Sequence, residues 1–338
     1  MDRAEKPLAL TLGDPAGIGP DISLFAYQAR TTEPVPPFVL LGDPELLAAR
    51  ARTLGLNTAF EVIEEPGAAP KLFAKALPVL PINVAGAVVA GRPDPAAAAA
   101  IRQSIERAVG LVVDGAANAV VTNPISKALL YRSGFDFPGH TEFLGQLAGL
   151  KPSDAVMMLV AGDLKVVPVT IHIPLKQVPT ALTQALILRT LMITARDLSR
   201  YFGVNRPRIA VTGLNPHAGE DGTLGREEIE IIAPAIEMAR GKGLDVTGPH
   251  SADALFHAEA RKTYDVAVAM YHDQALIPFK TLAFDTGVNV TLGLPFVRTS
   301  PDHGTAFALA GTGRASPRSL IEALRLADAM RARAEGAS

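Results

Sequence analysis

The sequence predicts an α/β protein built as two lobes, and three observations predict it. Short apolar runs alternate with stretches of helical period, as where Phe38–Leu41 or Asn118–Val121 adjoins an amphipathic segment. These runs repeatedly end in polar residues bounded by Gly or Pro, the station at which open α/β sheets hold ligands. The chain also has 338 residues, 48% of them hydrophobic and 20% charged, which suits a packed protein too long for one small domain.

Composition narrows the function. A net charge of −2 gives no general attraction to nucleic acid or anionic membrane, so any phosphate site must be local. With no cysteine, a disulfide framework and thiolate metal sites are excluded, and a metal would need His and carboxylate ligands. No apolar run approaches the roughly 20 residues of a membrane span. The opening MDRAEKPLALTLGDP carries an apolar run only a strand long, unlike a signal peptide, and a cytoplasmic location is expected.

In chain order, Pro7–Leu12 reads as a strand, then GDPAGIGPDI, then a helix from about Asp21 to Arg30. Gly13, Gly17 and Gly19 fit either a phosphate-binding turn or a tight βα turn, since the spacing is not G-x-G-x-x-G and Pro15 and Pro20 stiffen it. Phe38–Leu41 is a buried strand ending in Gly42-Asp43-Pro44, and 57–84 reads as short strands and loops. A helix follows with Pro95 in its first turn and Gly115 at its end. The strand Asn118–Val121 runs into Thr122-Asn123-Pro124-Ile125-Ser126-Lys127, where Lys127 fits a solvated lysine as well as a ligand. His140 and Thr141 stand at a helix N-terminus, where free N–H groups suit an anion, although ordinary capping explains them equally.

Two strands follow, Ala155–Val160 and Lys165–Ile171, the second ending in His172. A helix over 180–202 has the apolar spacing of a packing element. The strand Arg208–Gly213 leads into a loop carrying His217, and the strand Val266–Met270 ends in Tyr271-His272-Asp273-Gln274. Singly, each histidine reads as a core residue. His172, His217 and His272 together occupy one station on three βα units, whose strand ends share a crevice in a parallel sheet. Three imidazoles suit a borderline divalent cation with one coordination position open. His250 and His257 read as structural, in a loop and a helix. The helix 225–243 has a Glu-rich first turn that complements its dipole, and Ser251 caps a further helix with Asp253 in its first turn. Lys280, Asn289 and Arg298 lie beside Gly, Pro or apolar residues rather than in a charged run, which points to a small anionic substrate. PDHGTAFALAGTG is a polar, Gly-rich loop before a C-terminal helix over 317–334.

The stretches GDPAGIGPDI, VTNPISKALL, PGHTEFLG, PVTIHIPL, GLNPHAGEDG, MYHDQALIPFKTLAFDTGVNVTLGLPFVRTSPDHGTAF and AGTG run in order through nearly the whole chain. Through them it resembles the 4-hydroxythreonine-4-phosphate dehydrogenase family of pyridoxal phosphate biosynthesis. The resemblance implies two α/β/α lobes with a cleft, similar to isopropylmalate and isocitrate dehydrogenases and not Rossmann: 1–132 with 300–338, and 133–299. It implies metal ligands at His172, His217 and His272 for Zn, Co, Mg or Mn. Substrate-binding residues are implied at His140, Thr141, Lys280, Asn289 and Arg298. His303, Gly304, Thr305 and Ala306 resemble the wider superfamily's adenosine-binding loop, for NAD or NADP. A homodimer sharing its site between subunits is also implied. The expected reaction oxidises 4-phosphooxy-L-threonine to 2-amino-3-oxo-4-phosphooxybutanoate, which decarboxylates to 3-amino-2-oxopropyl phosphate. Asp273, Lys280 and Asp253 are the candidate bases. The alternatives are a paralogous dehydrogenase of 4-phospho-D-erythronate, D-threonate or a cyclic dihydrodiol, and a non-catalytic phosphometabolite-binding protein. Nucleic-acid binding is disfavoured by charge.

Overall fold

The computed structural model describes residues 6–126, 140–150 and 154–336. In chain order the strands are β1 (Leu8–Thr11), β2 (Phe38–Gly42), β3 (Phe60–Val62), β4 (Leu77–Pro81), β5 (Val120–Val121), β6 (Val156–Ala161), β7 (Leu164–Pro168), β8 (Arg208–Thr212), β9 (Asp245–His250), β10 (Val266–Ala269), β11 (Val288–Leu292) and β12 (Arg298–Pro301). The longer helices are α1 (Gly19–Ala29), α2 (Pro44–Thr53), α3 (Ala98–Val113), α4 (His140–Leu147), α5 (Gln184–Phe202), α6 (Ala233–Gly241), α7 (His272–Ala283) and α8 (Arg318–Gly336). The chain divides into two compact units, Met1–Ala148 with Pro295–Ala332, and Gly149–Leu294 with Arg333–Ser338. The limits expected from the sequence are 132/133 and 299/300. Here Arg298 falls in the first unit, because β12 pairs with β5 through Arg298↔Val120 and Thr299↔Val121.

The first unit carries the strands in the order β3-β4-β2-β1-β5-β12, all parallel. This is not the 3-2-1-4-5-6 order of a dinucleotide-binding Rossmann sheet. Strands β1 and β2 are buried along their length, as expected of parallel strands that read as continuous apolar runs. One buried hydroxyl ties them to α3: Ser104 Oγ accepts from the Leu12 amide at 2.9 Å and donates to the Leu41 carbonyl at 2.8 Å. Asp43 starts α2 by accepting from the amides of Glu45 (2.9 Å) and Leu46 (3.1 Å), an N-cap.

The second unit has the order β11-β6-β7-β10-β8-β9. The pairs β11/β6 and β6/β7 are antiparallel, whereas β7/β10, β10/β8 and β8/β9 are parallel. Its core gathers Leu159, Val166, Ala267, Ala269 and Phe279, so α7 packs its buried face on the strands that precede it. Thr183 caps α5 by accepting from the Leu186 amide at 3.1 Å, and Gly203 ends it in the left-handed conformation at φ 71°. The helix expected over 225–243 is instead a π turn, Glu228–Ile232, leading into α6. Pro234 has no N–H to offer the Glu230 carbonyl, and Gln184 Nε2 bonds that carbonyl at 2.9 Å. Among the described residues no single helix is long and apolar enough to cross a membrane.

Candidate active site

The topology places the three histidines. His172 follows β7, His272 follows β10 and His217 follows β8, and these strands are parallel neighbours in the order β7-β10-β8. Their carboxyl ends therefore lie side by side. The β7 end is fixed to the β10 end by the Thr170 hydroxyl, which donates to the Met270 carbonyl at 2.8 Å. His172 then stands in a three-residue turn closed by the Ile173 amide on the Ile171 carbonyl, 2.8 Å. The rings of His172 and His272 have centroids 5.8 Å apart, and with Ile171, Ile173, Tyr271 and Asp273 they line a cleft of about 300 Å³.

His272 is oriented for ligation. The Asp273 carboxylate lies 2.7 Å from His272 Nδ1. An ionised carboxylate only accepts, so Nδ1 carries the proton and Nε2 presents its lone pair, the usual support of a metal-bound imidazole. Gln274, to which the sequence assigns no role, joins the other two strand ends. Its Oε1 accepts from the Thr212 hydroxyl (2.8 Å) and the Met270 amide (2.7 Å), while Nε2 donates to the Gly213 carbonyl (2.8 Å). A glutamine after a histidine carries no sequence signal for that task.

His217 opens a left-handed turn. His217, Ala218, Gly219, Glu220 and Asp221 have φ of 52°, 53°, 82°, 43° and 56°. For each non-glycine residue this costs roughly 1–2 kcal/mol. The Asp253 carboxyl is held below the usual range, chiefly by the hydrogen bond from the Ser251 hydroxyl. Ser251 is thus turned to Asp253 and does not cap the helix expected after it, which is only the four residues Ala252–Leu255. His257 lies beyond that short helix, and His250 ends the edge strand β9 rather than sitting in a loop. Among the described residues no three His, Asp or Glu side chains converge closely enough to hold an ion as they stand. Within one chain, then, His172 and His272 are the pair drawn together. The donor set nonetheless suits a divalent cation, since it offers two exposed imidazoles and a half-buried one with its tautomer held by a carboxylate.

Of the anion-binding candidates, Lys280 is half-buried on α7 and Asn289 lies on β11 with its Oδ1 buried and without a hydrogen-bond partner among the described residues. Arg298, in the first unit, is buried; its Nη2 donates to Thr122 Oγ1 at 2.7 Å, and burial pushes its guanidinium down to about 10. A cation buried against its own preference is suited to an arriving anion. His140 and Thr141 begin α4, but their side chains lie outside the described residues, as does Lys127.

The glycine turn of the first unit resolves toward its structural reading. The amides of Asp14, Ala16, Gly17 and Ile18 are bonded to Pro124 O, Asp14 Oδ1, Asp14 O and Thr305 O, leaving none of these four for a phosphate. The Ile18 bond joins the turn to the loop of His303, Gly304, Thr305 and Ala306, where Ala306 has φ 39°. Asp21 and Arg50 form a buried ion pair beneath it. Arg50 also donates to Gly17 O and Pro15 O, and Asp21 Oδ1 accepts from the Gly311 amide.

Comparison with known proteins adds what geometry alone does not. The chain is 58% identical over 332 residues to the 4-hydroxythreonine-4-phosphate dehydrogenase of a Methylorubrum extorquens strain, covering 97% of this chain and 95% of that protein. It is 54% identical over 343 residues to the protein of that name from Bradyrhizobium diazoefficiens, covering 98% and 99%. The crystal structure of 4-hydroxythreonine-4-phosphate dehydrogenase from Klebsiella pneumoniae superposes with a TM-score of 0.84 at 39% identity, covering 96% of this chain and 99% of that one. The family described as pyridoxal phosphate biosynthetic protein PdxA matches residues 34–327, and with near full-length relatives at this identity the chain belongs to that family.

Proposed function

We propose that the three strand-end histidines would hold a divalent cation, and that the C3 hydroxyl of 4-phosphooxy-L-threonine is the group oxidised. The chain is an oxidoreductase of pyridoxal phosphate biosynthesis, a 4-hydroxythreonine-4-phosphate dehydrogenase, and as a dehydrogenase it uses a nicotinamide cofactor. The observation that carries the metal reading is the placement of His172, His272 and His217 at the ends of the adjacent parallel strands β7, β10 and β8, with Asp273 holding the His272 tautomer.

In the reaction, the C3 hydroxyl loses a proton to a base and a hydride to the nicotinamide, giving 2-amino-3-oxo-4-phosphooxybutanoate and NAD(P)H. Loss of CO2, with uptake of a proton, gives 3-amino-2-oxopropyl phosphate. A cation held by His172, His217 and His272 would supply Lewis acidity. Arg298 and Lys280 hold the phosphate or carboxylate, Arg298 by its fork of donors. Asn289, whose buried Oδ1 has no partner among the described residues, suits a donor on the substrate such as its ammonium. His140 and Thr141 complete the substrate set at the start of α4, and His303, Gly304, Thr305 and Ala306 receive the adenosine of NAD or NADP. Asp253, Asp273 and Lys280 are the candidate bases, and Asp273 already serves His272 through Nδ1.

A homodimer completes the site. Among the described residues one chain brings only two of the histidines together, and α7, which begins at His272, exposes Ile277 (66%), Leu282 (48%) and, at its end, Phe284 (74%). An apolar helix face beside a ligand residue fits an interface between copies. The test is NADH or NADPH formation from 4-phosphooxy-L-threonine, after chelation and again with Zn, Co, Mg or Mn restored. Turnover abolished by chelator and by His172→Ala is expected. Turnover of 4-phospho-D-erythronate or 4-phospho-D-threonate alone would move the enzyme to a paralogous reaction, and absence of all turnover would favour a binding protein.

A further inference from the structure

We infer that Glu228 is a positioning residue for His217: its buried carboxylate holds the backbone from which the left-handed turn starts. The inference rests on the reading of His217 as a metal ligand. Glu228 is 3% exposed. Its Oε1 accepts from the amides of Leu214 (2.7 Å) and Asn215 (2.8 Å), and its Oε2 from Asn215 Nδ2 (2.9 Å). Asn215 Nδ2 also donates to Glu227 Oε2 at 2.7 Å. The amides of Leu214 and Asn215, between β8 and His217, are therefore bonded to a carboxylate on the following turn of helix, while the Asn215 carbonyl accepts from the Ala218 amide at 3.1 Å.

The fit around this carboxylate is close. A Cβ on Gly213 would lie 2.9 Å from Glu228 Oε1, and one on Gly219, itself at φ 82°, would lie 2.6 Å from Oε2. These glycines stand on either side of His217 and let one carboxylate reach both limbs of the turn. The π turn that begins at Glu228 is the local distortion that accompanies this reach. Without Glu228, the amides of Leu214 and Asn215 lose their acceptor, and Asn215 Nδ2 keeps only Glu227. Residues 217–221 would then relax toward ordinary negative φ, moving the His217 ring from its place at the strand end. Both oxygens of Glu228 are engaged by the loop, so its effect passes through where His217 stands.

The test uses the full-length apo-protein, with Co2+ and Zn2+ as probes in chelator competition, the Co2+ absorption spectrum, and amide hydrogen exchange over residues 213–222. Wild type is expected to bind Co2+ more tightly than His217→Ala. Glu228→Ala is expected to weaken Co2+ and Zn2+ about 10–100-fold, the usual effect of losing a group that orients a metal ligand. It should also alter the Co2+ spectrum and speed exchange in 213–222 while circular dichroism stays native. Glu228→Gln keeps an oxygen for the two amides but sets a second donor against Asn215 Nδ2. It is expected to fall between, and it carries the test if Glu228→Ala does not fold. Glu227→Ala should change affinity less than about threefold, because Glu227 accepts from neither amide. Co2+ affinity and spectrum at wild-type values in the folded Glu228 variants would overturn the inference, as would lost affinity without faster exchange in 213–222. If wild type binds Co2+ no better than His217→Ala, the metal reading itself fails and the inference with it.

Discussion

Arg298 and Asp273 show how single side chains are set for their tasks. Burial opposes the charge on Arg298. In Arg298→Met the KM for the phosphorylated substrate is expected to rise at least tenfold, since a hydrogen bond to a charged group is worth about 1.5–3 kcal/mol. Melting at pH 7 should change by no more than a few degrees, because the cost of burying the charge offsets what its hydrogen bond to Thr122 contributes; a larger fall would show instead that the guanidinium holds the unit together. For Asp273 the question is base or orienter. As orienter of His272, Asp273→Ala should weaken Co2+ binding to apo-protein by about 10–100-fold, and Asp273→Asn less, since its amide oxygen still accepts from Nδ1. Loss of kcat with metal affinity intact would make it the base. The strand-end histidines were legible in the sequence because each follows an apolar run of strand length. Glu228 was not. A glutamate at a helix start reads as a complement to the helix dipole, and nothing local shows that it reaches back fourteen residues to Leu214.

Among the elements, those missed have physical reasons. Strand β9 contains Gly248-Pro249, which reads as a turn, yet it is the last strand of its sheet and a free edge tolerates a missing N–H. Strands β11 and β12 are short and lie between Gly and Pro, so neither shows a period. Among the strands found, β8 is clipped at its start by Asp265. That carboxylate accepts from the Arg208 amide at 2.7 Å and pairs with its guanidinium at 3.0 Å. Arg208 chiefly holds the Asp265 carboxyl below its ordinary 3.8. A depressed carboxylate stabilises the fold above the ordinary value, and that stability is lost as pH falls through the lower folded value. Asp265→Asn is therefore expected to lower stability by about 1 kcal/mol at pH 7, a figure already reduced for solvent screening of this part-exposed pair. The gap should close as pH falls below the ordinary carboxylate range. Urea unfolding at pH 7 and at acid pH reads the difference, and an equal gap at both would show that the carboxylate charge is irrelevant.

The two-part α/β architecture was legible from length and from the alternation of runs, whereas the limits of the parts were not. A strand such as β12 is assigned to a unit by its partner, and pairing with β5 is invisible in either segment alone. The proposed dimer is tested at the exposed end of α7. Phe284→Asp together with Ile277→Asp is expected to shift sedimentation toward monomer and to reduce turnover at least tenfold, because the apolar area lost carries about 25 cal/mol per Å². A dimer unaffected by both changes would place the interface elsewhere. The order of the units along the chain has a further consequence, in the timing of synthesis. Gly149–Leu294 is one uninterrupted segment, while the sheet of the first unit lacks β12 until Pro301 has been made. At about 5–20 residues per second, β5 waits on the order of 10–35 s for its partner. The sheet of the unit begun first is thus closed only after the long segment of the second has been made, and the strand edge at Val120–Val121 is what a nascent chain must keep from other partners meanwhile.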